Sequence, residues 1–162
     1  MKKFVLLIVV AVLLMPVWAG AQDSSGTNSV LKAGVWEGKM TGAVESAIKL
    51  SVESVADKHI KAKLNLVDWQ NTMVELSGDI VDSFGDFVEQ SRWQFVIKDK
   101  KFTDGNWVKL TDVKLIQGNW DLKQTYYGFL SHDLAGNSIV GCWYGGNDPQ
   151  PRGRFELHFP EP

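Results

Sequence analysis

The only cysteine of the chain, Cys142, lies sixteen residues before His158. A thiol and an imidazole within hydrogen-bond reach can act as a nucleophile and its base. A reactive cysteine also needs a cation or a helix N-terminus to lower the pKa of its thiol. The alternating sequence around Cys142 is typical of a strand, and the same alternation turns His158 toward water. We therefore expect a structural thiol, with intermolecular disulfide formation as the alternative, and no catalytic residue.

Four carboxylates cluster in the segment 79–89, at Asp79, Asp82, Asp86 and Glu89. A carboxylate pair could do acid–base chemistry, and the group could hold Ca²⁺. The spacing fits no EF-hand, and a charged hairpin that keeps strands soluble is the simpler interpretation. Three isolated histidines show no metal-ligand spacing: His59, His132 and His158. We expect no metal site and no cofactor.

Aromatic side chains are the remaining candidates for a binding site. Seven tryptophans are a heavy load of large rings for 162 residues. Rings on strands most often fill a core, but rings that line a barrel interior also form a pocket for an apolar or ring-shaped ligand. The candidate ligand-binding residues are Trp36, Trp93, Phe95, Trp107, Trp120, Tyr126 and Trp143.

Period-two alternation must position these rings. Apolar residues recur at every second position in segments such as 48–52, 60–66 and 93–97. This pattern indicates antiparallel strands with one face in a core and the other in water. Turn sequences such as Asp104-Gly105-Asn106 separate the segments at intervals that fit a meander of eight or nine strands.

An antiparallel meander of this size has to deal with its edge strands. Closure into a barrel removes them, and a barrel of about eight strands holds its own side chains or one small ligand. We therefore predict an all-β fold with a single antiparallel up-and-down barrel of about eight strands over residues 34–160. A β-sandwich is the competing architecture.

The N-terminus has the pattern of an export signal. A basic start at Lys2 and Lys3 precedes an apolar run over 4–15, and Ala19 and Ala21 form a cleavage site. We predict a signal peptide over 1–21, a flexible polar leader over 22–33, and an exported protein, periplasmic or secreted. The apolar run is short for a membrane span, so we expect no transmembrane segment after cleavage.

The charge of the mature chain excludes one class of partner. Removing Lys2 and Lys3 lowers the basic count from 17 to 15 against 19 acidic side chains, a net charge of about −4. Nucleic-acid binding needs a clustered positive excess, and the lysines here are scattered. We expect no nucleic-acid partner.

The segment Gly34–Gly38, "GVWEG", resembles the Gly-x-Trp opening of the lipocalin and calycin barrels. That resemblance implies that Gly34 and Trp36 close one end of the barrel and that a basic side chain of the last strand, here Arg154 with Arg152 as the alternative, packs over the indole. "TDV" at 111–113 partly matches the middle motif of lipocalins. The opening is also similar to that of avidin-type barrels, which line their pockets with tryptophans. The chain departs from true lipocalins because it has no disulfide and no recognisable helix after the barrel.

Two functions follow from these observations. The first is a non-enzymatic exported barrel that binds a small hydrophobic or aromatic ligand in its interior; a tightly packed interior would argue against it. The alternative is a protein-interaction or inhibitor module that acts through its surface or its N-terminal leader. Some small periplasmic barrels of this shape inhibit metalloproteases by inserting such a leader. An enzyme is the least supported class.

Cleavage after Ala21 should produce a mature chain that begins at Gln22. Intact-mass and N-terminal analysis of protein expressed with its signal in a bacterial host measures this start directly. A chain that keeps Met1 in the exported fraction would contradict the predicted signal peptide.

Overall fold

Alternation of apolar and polar side chains produces strands along the whole described chain. The computed structural model describes residues 31–81, 106–133, 136–146 and 150–160. Within these ranges there is no helix long and apolar enough to cross a membrane. The strands of the described residues are β1 (Gly34–Gly42), β2 (Ser46–Ala56), β3 (His59–Leu66), β4 (Thr72–Val81), β5 (Asn106–Gln117), β6 (Gln124–Asp133), β7 (Gly136–Gly145) and β8 (Gly153–His158).

Pairing between the first and last strands closes the sheet. Each strand pairs antiparallel with the next along the chain, and β1 pairs with β8 from Glu37↔His158 to Gly42↔Gly153. This pairing uses the two outer edges that an open meander would expose. The predicted all-β, antiparallel up-and-down barrel of about eight strands is confirmed.

Inward-facing side chains fill the barrel. One cavity among the inward-facing side chains of the described strands measures about 20 Å³ and is lined by apolar side chains from most of the wall. A volume of this size holds about one water molecule. The buried interior includes Trp36, Met40, Ile48, Leu50, Leu64, Leu76, Leu110, Ile139, Phe155 and Leu157.

Apolar residues seal the end of the barrel where the chain enters β1, which we call the Trp36 end. Trp36 is fully buried, and its indole Nε1 donates a hydrogen bond to the Lys32 carbonyl oxygen at 3.0 Å. The ring of Phe159 meets the indole edge-on, with 5.1 Å between ring centroids. Gly34, at φ +131°, makes room for the Phe159 ring. Leu31 is also buried here, so the last part of the predicted leader packs on the barrel.

Arg154 does not take the place over Trp36 that the resemblance implied. The alternation that turns Phe155 into the core turns Arg154 outward, where it is exposed. The barrel wall therefore separates the guanidinium from the buried indole, and the predicted stacking is wrong. The cation–π contact at this end joins Lys32 to Phe159 instead, with 5.5 Å from Nζ to the ring centroid.

Replacing Trp36 with Ala should lower the free energy of unfolding by about 3–5 kcal/mol, because it removes a fully buried indole and leaves a cavity. The neighbouring Val35 is 43% exposed and provides a matched control, since Val35→Ala should change stability by less than about 0.5 kcal/mol. Urea unfolding followed by circular dichroism measures both. Equal losses in the two variants would contradict the sealing role of Trp36.

Candidate functional site

Three of the predicted ring residues meet at the opposite end of the barrel, which we call the Trp143 end. Tyr126 lies on β6, Trp143 on β7, and Trp120 on the connection between β5 and β6. The two indoles lie 6.0 Å apart between ring centroids, tilted by 39°. Trp143 also donates from its Nε1 to the Thr41 carbonyl oxygen of β1 at 3.3 Å. This cluster ties four regions of the chain together.

Asp112 lies at the centre of the cluster. Its Oδ2 accepts hydrogen bonds from the Trp120 indole Nε1 at 3.1 Å and from the Gln124 backbone N–H at 3.0 Å. Its Oδ1 accepts a hydrogen bond from the Tyr126 hydroxyl at 3.2 Å. One carboxylate therefore holds the β5–β6 connection against the start of β6.

Burial dominates the electrostatics of this cluster. Desolvation raises the pKa of Asp112 from 3.8 to about 6, against the opposing effect of its three hydrogen bonds. Desolvation, together with the nearby Asp112 charge, also raises the pKa of Tyr126 well above its ordinary value. Asp112 is therefore a buried carboxyl group surrounded by hydrogen-bond donors, and it gains or loses its proton at mildly acidic pH.

The same cluster contains an acceptor without a hydrogen-bond partner among the described residues. The Gln124 side-chain Nε2 donates to the Asp121 carbonyl oxygen at 3.0 Å, while its Oε1 is buried and unpaired. A buried acceptor of this kind is normally satisfied by a protein donor or by an ordered water molecule. The cluster combines this acceptor with aromatic rings and the Asp112 carboxylate.

The remaining predicted ring residues lie elsewhere. Trp36 seals the opposite end of the barrel. Trp107 is on the outer face of β5, because its neighbour Val108 lines the interior cavity, and its ring packs against Phe129 at 4.9 Å between centroids. Trp107 therefore does not line the interior cavity. Trp93 and Phe95 lie outside the described residues.

The thiol and the imidazole of the Cys–His hypothesis are not brought together. Cys142 is in register with Arg154, whereas His158 is in register with Ser138, four residues away along the same strand. Burial raises the pKa of the Cys142 thiol to about 12, with Arg154 acting in the opposite direction. The exposed His158 ring instead contacts Glu156 at 3.1 Å. This arrangement provides no activated nucleophile at Cys142.

The carboxylate cluster at 79–89 lies mostly outside the described residues. Its first member, Asp79, is on β4, and its Oδ1 lies 3.0 Å from the His59 Nδ1. Among the residues that the structure describes, no group of three metal-ligating side chains comes together.

Asp112 is the central residue that sequence reasoning did not assign to a site. It is the middle residue of the "TDV" string at 111–113, so the string contained a signal. Its burial depends on β4, where Leu76 is its register partner, and on the loop that folds back onto it. A linear pattern does not record either contact.

Comparisons with known proteins add no assignment. No family model matches the chain, and neither a curated protein nor a solved structure matches it.

Replacing Asp112 with Asn tests the buried carboxylate. Because the folded-state pKa of about 6 is above the ordinary 3.8, the carboxyl group stabilises the fold fully below about pH 4 and loses that contribution as pH rises through 6. Between about pH 4 and 7, the free energy of unfolding of wild type should therefore fall by up to about 3 kcal/mol relative to that of Asp112→Asn. Urea unfolding at several pH values measures the difference. A difference that stays constant with pH would contradict a buried, titrating Asp112.

Proposed function

We propose that this chain is an exported, non-enzymatic barrel that binds a polypeptide partner along the last residues of β5, at the Trp143 end. Export rests on the signal pattern over 1–21, and membership of the calycin superfamily rests on the closed eight-strand barrel together with the Gly34-x-Trp36 opening. The buried Cys142, separated from His158, supports a non-enzymatic role.

The interior gives little support to a small-molecule function. Sites for small molecules usually occupy about 300–1,000 Å³, whereas the cavity inside the described strands measures about 20 Å³. An aromatic ligand would have to displace several packed core side chains, and dense cores resist such displacement. The outer surface is therefore the better candidate for binding.

The observation that carries the proposal is an overhanging strand. β5 pairs with β6 only as far as Thr111↔Thr125. Its last six residues, 112–117, pair with β4 alone among the described residues. The backbone N–H and C=O groups on the other side of this overhang form a sheet edge, and an extended peptide can add to such an edge as a further strand.

Two β-bulges turn apolar side chains outward on this overhang. The pairing of β4 with β5 shifts register twice, and Val113 and Ile116 are the two β5 residues without a register partner there. Their exposed fractions are 54% and 44%. Bulges at sheet edges often redirect side chains next to functional sites, so the overhang offers a partner both backbone groups and apolar contacts.

Other exposed apolar side chains lie at the same end. Trp69 is on the β3–β4 turn, where hydrogen bonds join its backbone to Leu66 and Thr72. Val67 and Leu122 are exposed on the same turn and on the β5–β6 connection. A tryptophan on a hydrogen-bonded turn, beside exposed aliphatic residues, is typical of the side chains that dominate interface energetics.

The charge on the overhang favours a different polypeptide over a second copy of this chain. Lys114 is exposed between Val113 and Ile116. A lysine on an edge strand opposes edge-to-edge pairing of identical sheets. A partner segment with a carboxylate near that position would remove the repulsion.

Introducing charge into the overhang should weaken partner binding. In the double variant Val113→Lys/Ile116→Lys, we expect at least about a tenfold loss of affinity for the partner. Both apolar side chains that would contact the partner are replaced by positively charged ones. The partner is captured by photo-crosslinking from position 116 in the export compartment of the native host, identified by mass spectrometry, and its affinity is then measured with purified components.

Val35→Lys is the matched control, since Val35 is an exposed valine at the opposite end of the barrel. Its affinity for the captured partner should equal that of wild type. Equal losses in both variants, or unchanged binding in the double variant, would contradict binding at the overhang. Native mass spectrometry that finds a discrete small molecule on the purified protein would instead support the ligand-binding function.

A further inference from the structure

A serine, a histidine and an aspartate meet on the outer face of β3 and β4. Ser77 and Asp79 lie two residues apart on β4, and His59 is the first residue of β3. The His59 Nδ1 lies 3.0 Å from the Asp79 Oδ1, and the Ser77 Oγ lies 3.2 Å from the His59 Nε2. Hydroxyl, imidazole and carboxylate therefore form one hydrogen-bonded row, in the order of a nucleophile, its base and the group that orients the base.

The pairing of the strands fixes the position of the imidazole in this row. His59 is the register partner of Asp79 on the neighbouring strand. The turn before His59 is tight, because Asp57 and Lys58 both have left-handed backbone angles, at φ 51° and 67°, as the favoured two-residue hairpin turns require. The Ile80 backbone N–H donates to the Lys58 carbonyl oxygen at 2.7 Å and joins this turn to β4. The imidazole therefore projects from a defined point of the barrel wall.

The hydrogen-bonding capacity of the three groups determines where the protons lie. A carboxylate only accepts hydrogen bonds, so the neutral His59 ring carries its proton on Nδ1 and donates it to Asp79. The lone pair of Nε2 then accepts the hydrogen bond of the Ser77 hydroxyl. A general base needs this tautomer, because Nε2 can take the hydroxyl proton while Oγ forms a bond to an electrophile.

The row is open to solvent and lies beside a cation. The His59 and Asp79 side chains are 49% and 60% exposed, so a small molecule reaches the imidazole without entering the barrel. Lys61 is exposed and is the register partner of Ser77 on β3. Paired residues have Cβ atoms about 5 Å apart. The Lys61 ammonium is therefore within reach of the negative charge that develops on a carbonyl oxygen attacked by Ser77.

We propose that Ser77 is a modification site that accepts an acyl group from a small activated ester, with His59 as the base and Asp79 as its positioning residue. The Ser77 Oγ forms a bond to the carbonyl carbon of the ester, and the hydroxyl proton passes to the His59 Nε2. The bond between that carbon and the leaving oxygen then breaks, and the proton passes to the leaving group. One acyl transfer requires no turnover, so this reaction is separate from the proposed binding at the β5 overhang.

Acetylation by p-nitrophenyl acetate at mildly alkaline pH tests the proposal on the full mature protein. Peptide mass spectrometry locates the added acetyl groups and follows their appearance with time. Ser51 is an internal control, because it is partly exposed like Ser77 and also has a β3 lysine, Lys63, as its register partner. Ser77 should be acetylated at least about tenfold faster than Ser51, because a positioned general base usually contributes about a hundredfold or more. Equal rates at the two serines, or acetylation of lysines alone, would overturn the proposal.

Variants separate base catalysis from simple exposure of the hydroxyl. His59→Gln should slow the acetylation of Ser77 at least about tenfold relative to Ser51 in the same protein. Asp79→Asn should slow it several-fold, because the proton on Nδ1 is then no longer fixed. His158→Gln is the matched control, since His158 is a half-exposed histidine on β8, and it should leave the rate unchanged.

Urea unfolding verifies that each variant is folded, as expected for substitutions of exposed side chains. An unchanged rate of Ser77 acetylation in His59→Gln, or equal losses in His59→Gln and His158→Gln, would overturn the proposal.

Discussion

The pairing of β1 with β8 is the interaction on which the rest of the structure depends. Once these strands are joined, the sheet has one interior of limited volume, and every side chain lies either inside or outside the wall. Inward-facing aliphatic and aromatic side chains from all eight described strands line a cavity of about 20 Å³. Trp36 and Phe159 stabilise this seam because one ring follows the start of β1 and the other follows the end of β8.

The two ends of the barrel are sealed by different physical means. The Trp36 end is closed by apolar burial together with a single indole hydrogen bond. The Trp143 end is closed by the Asp112 carboxylate, whose desolvation cost is offset in part by donors from Trp120, Gln124 and Tyr126. β5 continues past its partner β6, and the donors of the buried network hold the β5–β6 connection beside this overhang.

The proposed binding surface lies on the outside of the wall. The outer surface carries two kinds of apolar residue: the exposed bulge residues on the β5 overhang, and the outward-facing rings of Trp107 and Phe129, which pack against each other on β5 and β6. The closed barrel acts as a rigid frame that fixes both. A barrel of this shape is compatible with many functions, so the function has to be argued from these surfaces and not from the fold.

The sequence by itself determined which segments are strands and most side-chain facings, because alternation and turn residues are local properties of the chain. It also selected Trp120, Tyr126 and Trp143, which the structure brings together. It did not place Asp112 at their centre, and the resemblance placed Arg154 over Trp36, whereas the structure turns Arg154 outward. Only the tertiary structure decided these points, together with the space left in the barrel and the overhang of β5. They depend on register, bulges and closure between strands distant in sequence, which no local pattern encodes.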